Sequence, residues 1–267
     1  MLRIGFYQFR PIFGNVPANL TKVVKALSQI KADLIVLPEL ALTGYYFKDR
    51  NEVKILAEEP ENSSTVQSLI ALCRERDFYL VTGFAEKKLE KLFNSALLLG
   101  PEGIVHTYRK LHLFNEEKYW FDPGDIALQV QNVRGAKIGI MICFDWIFPE
   151  VARTLTISGA DIICHPSNLV LDYCQQTMLS RCLENSIFAI TANRFGLDKR
   201  PHGELHFTGK SQIVAPKGEL LHRAASQREV LFITEIDPDV ARDKKITPLN
   251  QIIDDRRPEF YGPLLQV

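Results

Sequence analysis

The sequence has no surplus of charge of either sign. Its 267 residues carry 32 Lys plus Arg against 32 Asp plus Glu, so no overall field draws nucleic acid or an anionic membrane surface. Cysteines are few: Cys73, Cys143, Cys164, Cys174 and Cys182. An odd number without C-x-x-C spacing argues against a disulfide framework or a thiolate metal site and reads as reduced thiols of a cytoplasmic protein. No apolar run reaches membrane-spanning length, and the opening MLRIGFYQFRP is too short and too polar for a signal peptide. No G-x-G-x-x-G or G-x-x-x-x-G-K stretch occurs, which disfavours a nucleotide binder. No cofactor, metal, nucleic acid or membrane partner is expected. No Gly/Ser-rich or Pro-rich linker divides the chain, so residues 1–267 are expected to form one domain, with 254–267 as an arm on the surface or on a partner subunit.

What is present is a chain 46% hydrophobic and 24% charged, long enough for a full core. Apolar runs predict strands at 2–9, 33–37, 78–84, 95–99 and 104–108, the last two joined by a Gly100-Pro101-Glu102-Gly103 turn. Leu20, Val23, Val24, Leu27 and Ile30 mark one face of a helix, and Asn62-Ser63-Ser64 offers caps for a second. The second half repeats the theme, with strands at 161–164 and 187–192 around a helix near 174–185. A hairpin of 211–215 with 230–236 is expected to follow. Strands alternating with helices in two similar halves imply an α/β architecture of two sheets packed face to face with helices outside.

The chain is organised around 133–159. Residues 136–142 read as a strand buried on both faces, and from Pro149 the spacing of Val151, Ala152 and Leu155 turns helical, ending at Gly159. Cys143 falls where that strand ends. Backbone N–H groups at such a turn favour a thiolate and can hold an oxyanion. A buried structural cysteine is the alternative.

Three other positions carry candidate chemistry. Glu39 follows the strand DLIVLP, where α/β architectures build sites, although a solvated loop acid is equally compatible. Lys110, in TYRKLHLF, follows another strand, and Glu117, in NEEKYWFDPGD, precedes an aromatic cluster. Each alone reads as a surface residue. Together they supply a thiol, an acid/base carboxylate and a cation. A thiol attacking a C–N centre must lose a proton that the departing nitrogen must gain, and one carboxylate can do both. A buried lysine keeps its proton only if carboxylates hold it, which gives the second glutamate a role.

LPELALTGYYF, YRKLHLF, EKYWFDPGD and ICFDWIFPE resemble, in order and spacing, the signature blocks of the nitrilase superfamily of carbon–nitrogen hydrolases. HPSNLV and RCLENSIFAITANR resemble its later blocks, so the likeness runs from Arg3 to beyond Asp255. The run CFDW-x-FPE-x-ARTL is similar to that of the short archaeal members. The resemblance implies a four-layer αββα sandwich that pairs into a homodimer or an oligomer of dimers. It also implies hydrolysis of a small amide or nitrile through a Glu39, Lys110 and Cys143 triad, with Glu117 as a further glutamate. It assigns the oxyanion site to Lys110 with the Phe144 N–H, and the pocket to Tyr45, Trp146, Asn168 and Tyr173.

Two departures from the family pattern concern substrate. Members acting on carbamoyl-polyamines commonly carry Gln where this chain has Trp146, and several acting on acidic amides carry Arg where it has Ile147. A small neutral substrate is therefore expected, unless Arg194 reaches the pocket. Among rival readings, a Cys–His hydrolase would pair Cys143 with His112 or His165. A metal-dependent enzyme would need ligands such as His202 and His206, which the polar setting and Gly203 put in a loop. A metabolite-binding member without activity should have lost one of the triad residues, yet all are present.

Overall fold

In the computed structural model, which describes residues 1–266, the first strand, β1 (Leu2–Gln8), already divides the core. Ile4 and Phe6 face one side and Tyr7 the other, the period-2 pattern of a strand covered on both faces. Helix α1 (Val16–Leu27) starts where the Asn15 side chain accepts from the Ala18 N–H at 3.2 Å, with Pro17 in its first turn. Strand β2 (Leu34–Val36) repeats the alternation: Leu34 and Val36 point inward, and Ile35 packs among Val23 and Leu27 of α1. After the short α2 (Arg50–Leu56), α3 (Ser64–Arg76) is capped by Ser63 and stops at Asp77, whose φ is +50°. Strands β3 (Tyr79–Lys88), β4 (Lys91–Gly100) and β5 (Gly103–Arg109) form a meander, longer than predicted at both β3 and β4.

The second half runs α4 (Glu117–Trp120), β6 (Val130–Val133), β7 (Ala136–Ile140), α5 (Pro149–Ile157), β8 (Ile162–Ser167), α6 (Cys174–Asn185) and β9 (Phe188–Asn193). A hairpin of β10 (Phe195–Arg200) and β11 (Gly203–Thr208) precedes β12 (Gln212–Val214), β13 (Leu220–Arg223) and β14 (Val230–Ile236). Two six-stranded sheets result, ordered β14-β1-β2-β3-β4-β5 and β13-β12-β9-β8-β7-β6. Each has three parallel strands at its centre, β1 to β3 in one and β7 to β9 in the other, flanked by antiparallel ones. The inner faces share one core that joins Ile4, Phe6, Leu34 and Val36 to Ile138, Ile140, Ile162 and Ile190. Helices α1 and α3 cover the outer face of the first sheet, and α5 and α6 that of the second. The αββα sandwich expected from the layering is the fold observed. No helix among the described residues is long and apolar enough to cross a membrane.

Two expectations are corrected. Residues 211–215 and 230–236 are not a hairpin: β12 turns through Pro216–Gly218 onto β13, whereas β14 crosses to the other sheet and pairs with β1. The intervening Leu-Leu-His-Arg strand is half polar because it lies at a sheet edge, so its composition hides it. His202 and His206 do not sit in an irregular loop but on the β10–β11 hairpin, in its turn and in its second strand.

One glycine fixes the loop after β2. The Gly83 N–H of β3 donates to Pro38 O at 3.1 Å, and a Cβ at Gly83 would collide with Leu40 N and Glu39 Cα. Only a residue without a side chain lets the strand lie this close. Gly83→Ala should therefore lower unfolding stability by about 1–3 kcal/mol, read as a reduced urea midpoint at constant m-value. An unchanged midpoint would mean that the Glu39 segment moves aside freely.

Candidate active site

The site assembles from the ends of strands in both sheets. Glu39 leaves β2, Lys110 leaves β5, Cys143 follows β7 and Asn168 follows β8. Short polar ties hold these ends together. The Lys110 N–H donates to Asn94 O at 2.8 Å, and the Asn168 side-chain amide donates to Glu39 O at 2.8 Å, joining one sheet to the other.

Lys110 Nζ donates to Glu39 Oε1 and to Glu117 Oε1, each at 2.7 Å, and all three side chains are fully buried. Burial works against the ammonium, but Glu117 and Glu39 outweigh it and hold Lys110 above its ordinary value. Glu117 opens α4. Its Oε1 also accepts from Tyr45 OH at 2.6 Å, and its Oε2 from the Phe114 N–H at 3.2 Å. Burial pushes Glu117 up to about 7, against the pull of Lys110. Glu39 Oε1 takes a second bond from Asn94 Nδ2 at 2.7 Å, while its Oε2 is buried with no partner among the described residues. Asn94 is a site residue that the reading of the sequence passed over. A lone amide inside the apolar run of β4 was the available signal.

Cys143 begins a tight 3-10 turn, Cys143–Ile147, in a left-handed conformation with φ +40°. That conformation is costly for a residue with a Cβ and is kept by the surrounding structure. The expectation of a thiolate favoured by the turn is corrected. Burial first, then Glu39, pushes the thiol well above its ordinary value, and Lys110 opposes them only in part. The resting nucleophile candidate is a neutral thiol beside a cluster that already carries negative charge.

Cys143, Phe144, Trp146 and Asn168 line a cavity of about 20 Å3 with Phe114, Leu169, Val170 and Leu171. Such a volume holds about one water. Asn168 Oδ1 is buried without a partner among the described residues, as an acceptor left open. Tyr45 stands behind Glu117, with its ring edge-on to Trp120 and Phe207, and does not line the cavity. Tyr173 is 59% exposed at the start of α6 and stands apart from the cavity. Arg194 is buried too, but its guanidinium forms two 2.7 Å bonds with Asp198 and lies 4.0 Å over the Phe207 ring, away from the cavity lining. Arg181 and Glu184 pair at 2.9 Å on α6.

Neither histidine of the Cys–His alternative meets the sulfur. His112 Nδ1 donates to Asp145 Oδ1 at 2.8 Å and stacks on Phe148. His165 Nε2 donates to the Cys143 carbonyl at 2.9 Å, and its Nδ1 accepts from Thr191 Oγ1 at 3.2 Å. No group of three or more His, Cys, Asp or Glu side chains among the described residues is arranged to hold a metal ion.

Residues 3–245 match the family model described as carbon-nitrogen hydrolase. The chain is 42% identical over 264 residues to a nitrilase of Pyrococcus abyssi, covering 98% of this chain and 99% of that protein. It is 33% identical over 243 residues to an (R)-stereoselective amidase of Pseudomonas sp., covering 89% of this chain and 86% of that protein. A solved structure of a carbon-nitrogen hydrolase from Helicobacter pylori G27 superposes with a TM-score of 0.91 at 26% identity, over 100% of this chain and 98% of that one.

The buried His165 gives the site a measurable pH signature. Burial lowers it to about 4 from its ordinary 6.5. A base depressed in the folded state contributes stability that is whole above pH 6.5 and is lost as pH falls toward 4. That interval corresponds to a loss on the order of 3 kcal/mol. Urea titrations from pH 7 to 4 should show the loss in the parent chain and a flatter slope in His165→Gln. Equal slopes would mean that His165 is free to charge within the fold.

Proposed function

The chain belongs to the carbon–nitrogen hydrolase family, and from that premise we propose that it hydrolyses the non-peptide C–N bond of a small amide through a thioester on Cys143. The observation that most supports this reading is the division of labour within Glu39. Its Oε1 is held by Lys110 and Asn94, and its Oε2 is left free in a dry site where its charge is felt at the Cys143 thiol.

In this reading Glu39 Oε2 takes the thiol proton as the sulfur attacks the carbonyl carbon, so the raised thiol never needs to exist as a free thiolate. The oxyanion forms against Lys110, whose ammonium has three donors with two engaged by carboxylates. The Phe144 N–H is the second donor. Losing one such donor typically slows catalysis by about 10²–10³-fold. Protonated Glu39 then delivers its proton to the nitrogen, ammonia or an amine departs, and an acyl-thioester remains. Water, deprotonated by the same carboxylate, attacks the thioester, and collapse returns the proton from Glu39 to sulfur. Asn168 Oδ1, an acceptor without a partner, suits an amide N–H. Glu117 serves by keeping Lys110 charged and in place.

The relatives named nitrilase and amidase support two related chemistries on one thiol adduct. A nitrile gives a thioimidate where an amide gives a thioester, and an N-carbamoyl compound differs only in its acyl group. The cavity walls of Phe114, Trp146 and Leu169, with Arg194 neutralised by Asp198, favour a neutral acyl group. A carboxylate entering beside Glu39 and Glu117 would meet like charge, and desolvating it costs several kcal/mol. Pairing of two copies through the outer helices belongs to the same reading, in keeping with Ile157 and Leu183 exposed on α5 and α6.

Cys143→Ala should abolish hydrolysis with the fold intact, whereas alanine at Cys73, Cys164, Cys174 or Cys182 should leave turnover within a few-fold. Glu39→Gln should lose on the order of 10²-fold or more in kcat and slow iodoacetamide labelling of Cys143. Mass spectrometry should find the acyl adduct accumulating on Cys143 in that variant. An active Cys143→Ala sinks the reading, and a chain that labels its cysteines slowly and uniformly is a binder that has kept the fold.

Substrate polarity is tested separately with amides of equal length that differ only in a terminal carboxylate. The neutral member should have the higher kcat/KM, and the matching nitriles should be slower than the amides. A preference for the acid that disappears in Arg194→Ala would reverse the assigned polarity of the pocket.

A further inference from the structure

Asp145 is a fully buried carboxylate two residues beyond Cys143, and the steps above make no use of it. One of its oxygens bonds groups of both sheets, and the other bonds the first sheet's segment alone. Oδ2 accepts from the Ile142 N–H at 2.9 Å, one residue before the nucleophile candidate, and from Tyr108 OH at 2.7 Å. Oδ1 accepts from the His112 N–H at 3.2 Å and from His112 Nδ1 at 2.8 Å. Tyr108 and His112 flank Lys110 on either side, two residues away. They belong to the end of β5 in the first sheet, whereas Ile142 and Asp145 follow β7 in the second.

We infer that Asp145 is a positioning residue that fixes the distance between the Cys143 sulfur and the Lys110 ammonium across the two sheets. A covalent path from Cys143 to Lys110 runs back through β7, β6 and α4, far too long to hold a reacting geometry. The carboxylate shortens that path to three bonds on the Lys110 side, two from side chains and one from the backbone, and one backbone bond on the Cys143 side. The left-handed turn at Cys143 needs such a tie, because its Ile142 N–H would otherwise lie buried and unpaired. Glu39 reaches the same place by a different route, through Asn94, Lys110 and Asn168. Glu39 thus has a tie of its own to the second sheet, from Asn168, and keeps its place beside the thiol without Asp145. The Lys110 bonds to Glu39, Glu117 and Asn94 do not reach the Cys143 turn, and among the described residues Asp145 is what holds the Lys110 segment against it.

This inference rests on Lys110 acting as the oxyanion cation, and its test separates the two claims. Iodoacetamide alkylates sulfur by displacement at a saturated carbon and forms no oxyanion. An activated ester such as p-nitrophenyl acetate acylates the same sulfur through a tetrahedral oxyanion. Asp145→Asn keeps one acceptor oxygen for the Ile142 side and turns an amide N–H2 toward the two His112 donors. It should therefore slow acylation of Cys143 by about 10- to 100-fold, the range for losing a hydrogen bond to a charged group, while alkylation stays within about threefold. Tyr108→Phe, which removes one donor to Asp145 and the long bond from the Leu111 N–H, should shift the same ratio in the same direction by a smaller factor and serves if Asp145→Asn does not fold. Both reactions falling together, or neither changing, would make Asp145 a purely structural acid and overturn the inference. A parent chain that is alkylated but never acylated at Cys143 would instead refute the hydrolase reading, and the positioning role with it.

Discussion

The buried ammonium of Lys110 between two buried carboxylates is the interaction on which the rest of the site depends. Removing any one of these ions from water costs several kcal/mol, and the loss is offset only where each ion finds a short, well-made bond. Here the Lys110 bonds are both 2.7 Å, the same two oxygens also accept from Asn94 and Tyr45, and of the two remaining oxygens the Phe114 N–H reaches one, leaving one exception. That exception, Glu39 Oε2, is an unpaired acceptor in a place where unpaired acceptors are expensive. The fold retains it because the surrounding bonds over-determine where Glu39 lies. Burial raises both Cys143 and Glu117, and the charge of Glu39 adds to each, against the single ammonium of Lys110.

Much of this was legible in the sequence, and the illegible part has a physical reason. The strand-to-helix change around Cys143 was readable because buried strands and helix starts have local signatures. The alternating halves announced the paired sheets. Glu39, Lys110 and Glu117 were each ambiguous alone, since nothing local distinguishes a carboxylate at a dry strand end from one on a wet loop. Their mutual need for charge compensation, together with the family likeness, singled them out. Asn94 and Asp145 escaped because their importance lies in who they touch across the sheets. The direction of the thiol shift was misjudged for a related reason: the turn's N–H groups are local, but the two glutamates and the burial that outweigh them come from the other end of the fold. The strand Leu220–Arg223 was missed and β14 mispaired because edge strands carry mixed composition.

Three of the nine non-glycine residues with positive φ among the described residues lie at the site. Leu40 after Glu39, Asn115 before Glu117 and Cys143 itself all hold positive φ without being glycine. Leu40 and Cys143 lie in the segments that follow β2 and β7, and Asn115 lies in the turn into α4, so each adjoins a side chain of the site. Gly83 makes room for the turn at Leu40, where Asn168 also bonds the Glu39 carbonyl, and Asp145 secures the turn at Cys143. The site is thus supported less by the strands that carry it than by polar ties running between them.

The pairing of β1 with β14 joins residues 2–8 to residues 230–236. During synthesis β1 therefore keeps one edge bare until residues 230–236 have been made, with its N–H and C=O groups open to any other strand. Closing that edge fastens the start of the first sheet to a segment that has already traversed the second. Long-range closure of this kind slows folding and lengthens the exposure of a sticky intermediate. A nascent chain halted before residue 230 would present an unpaired strand edge of the kind that natural proteins cover or blunt with charge.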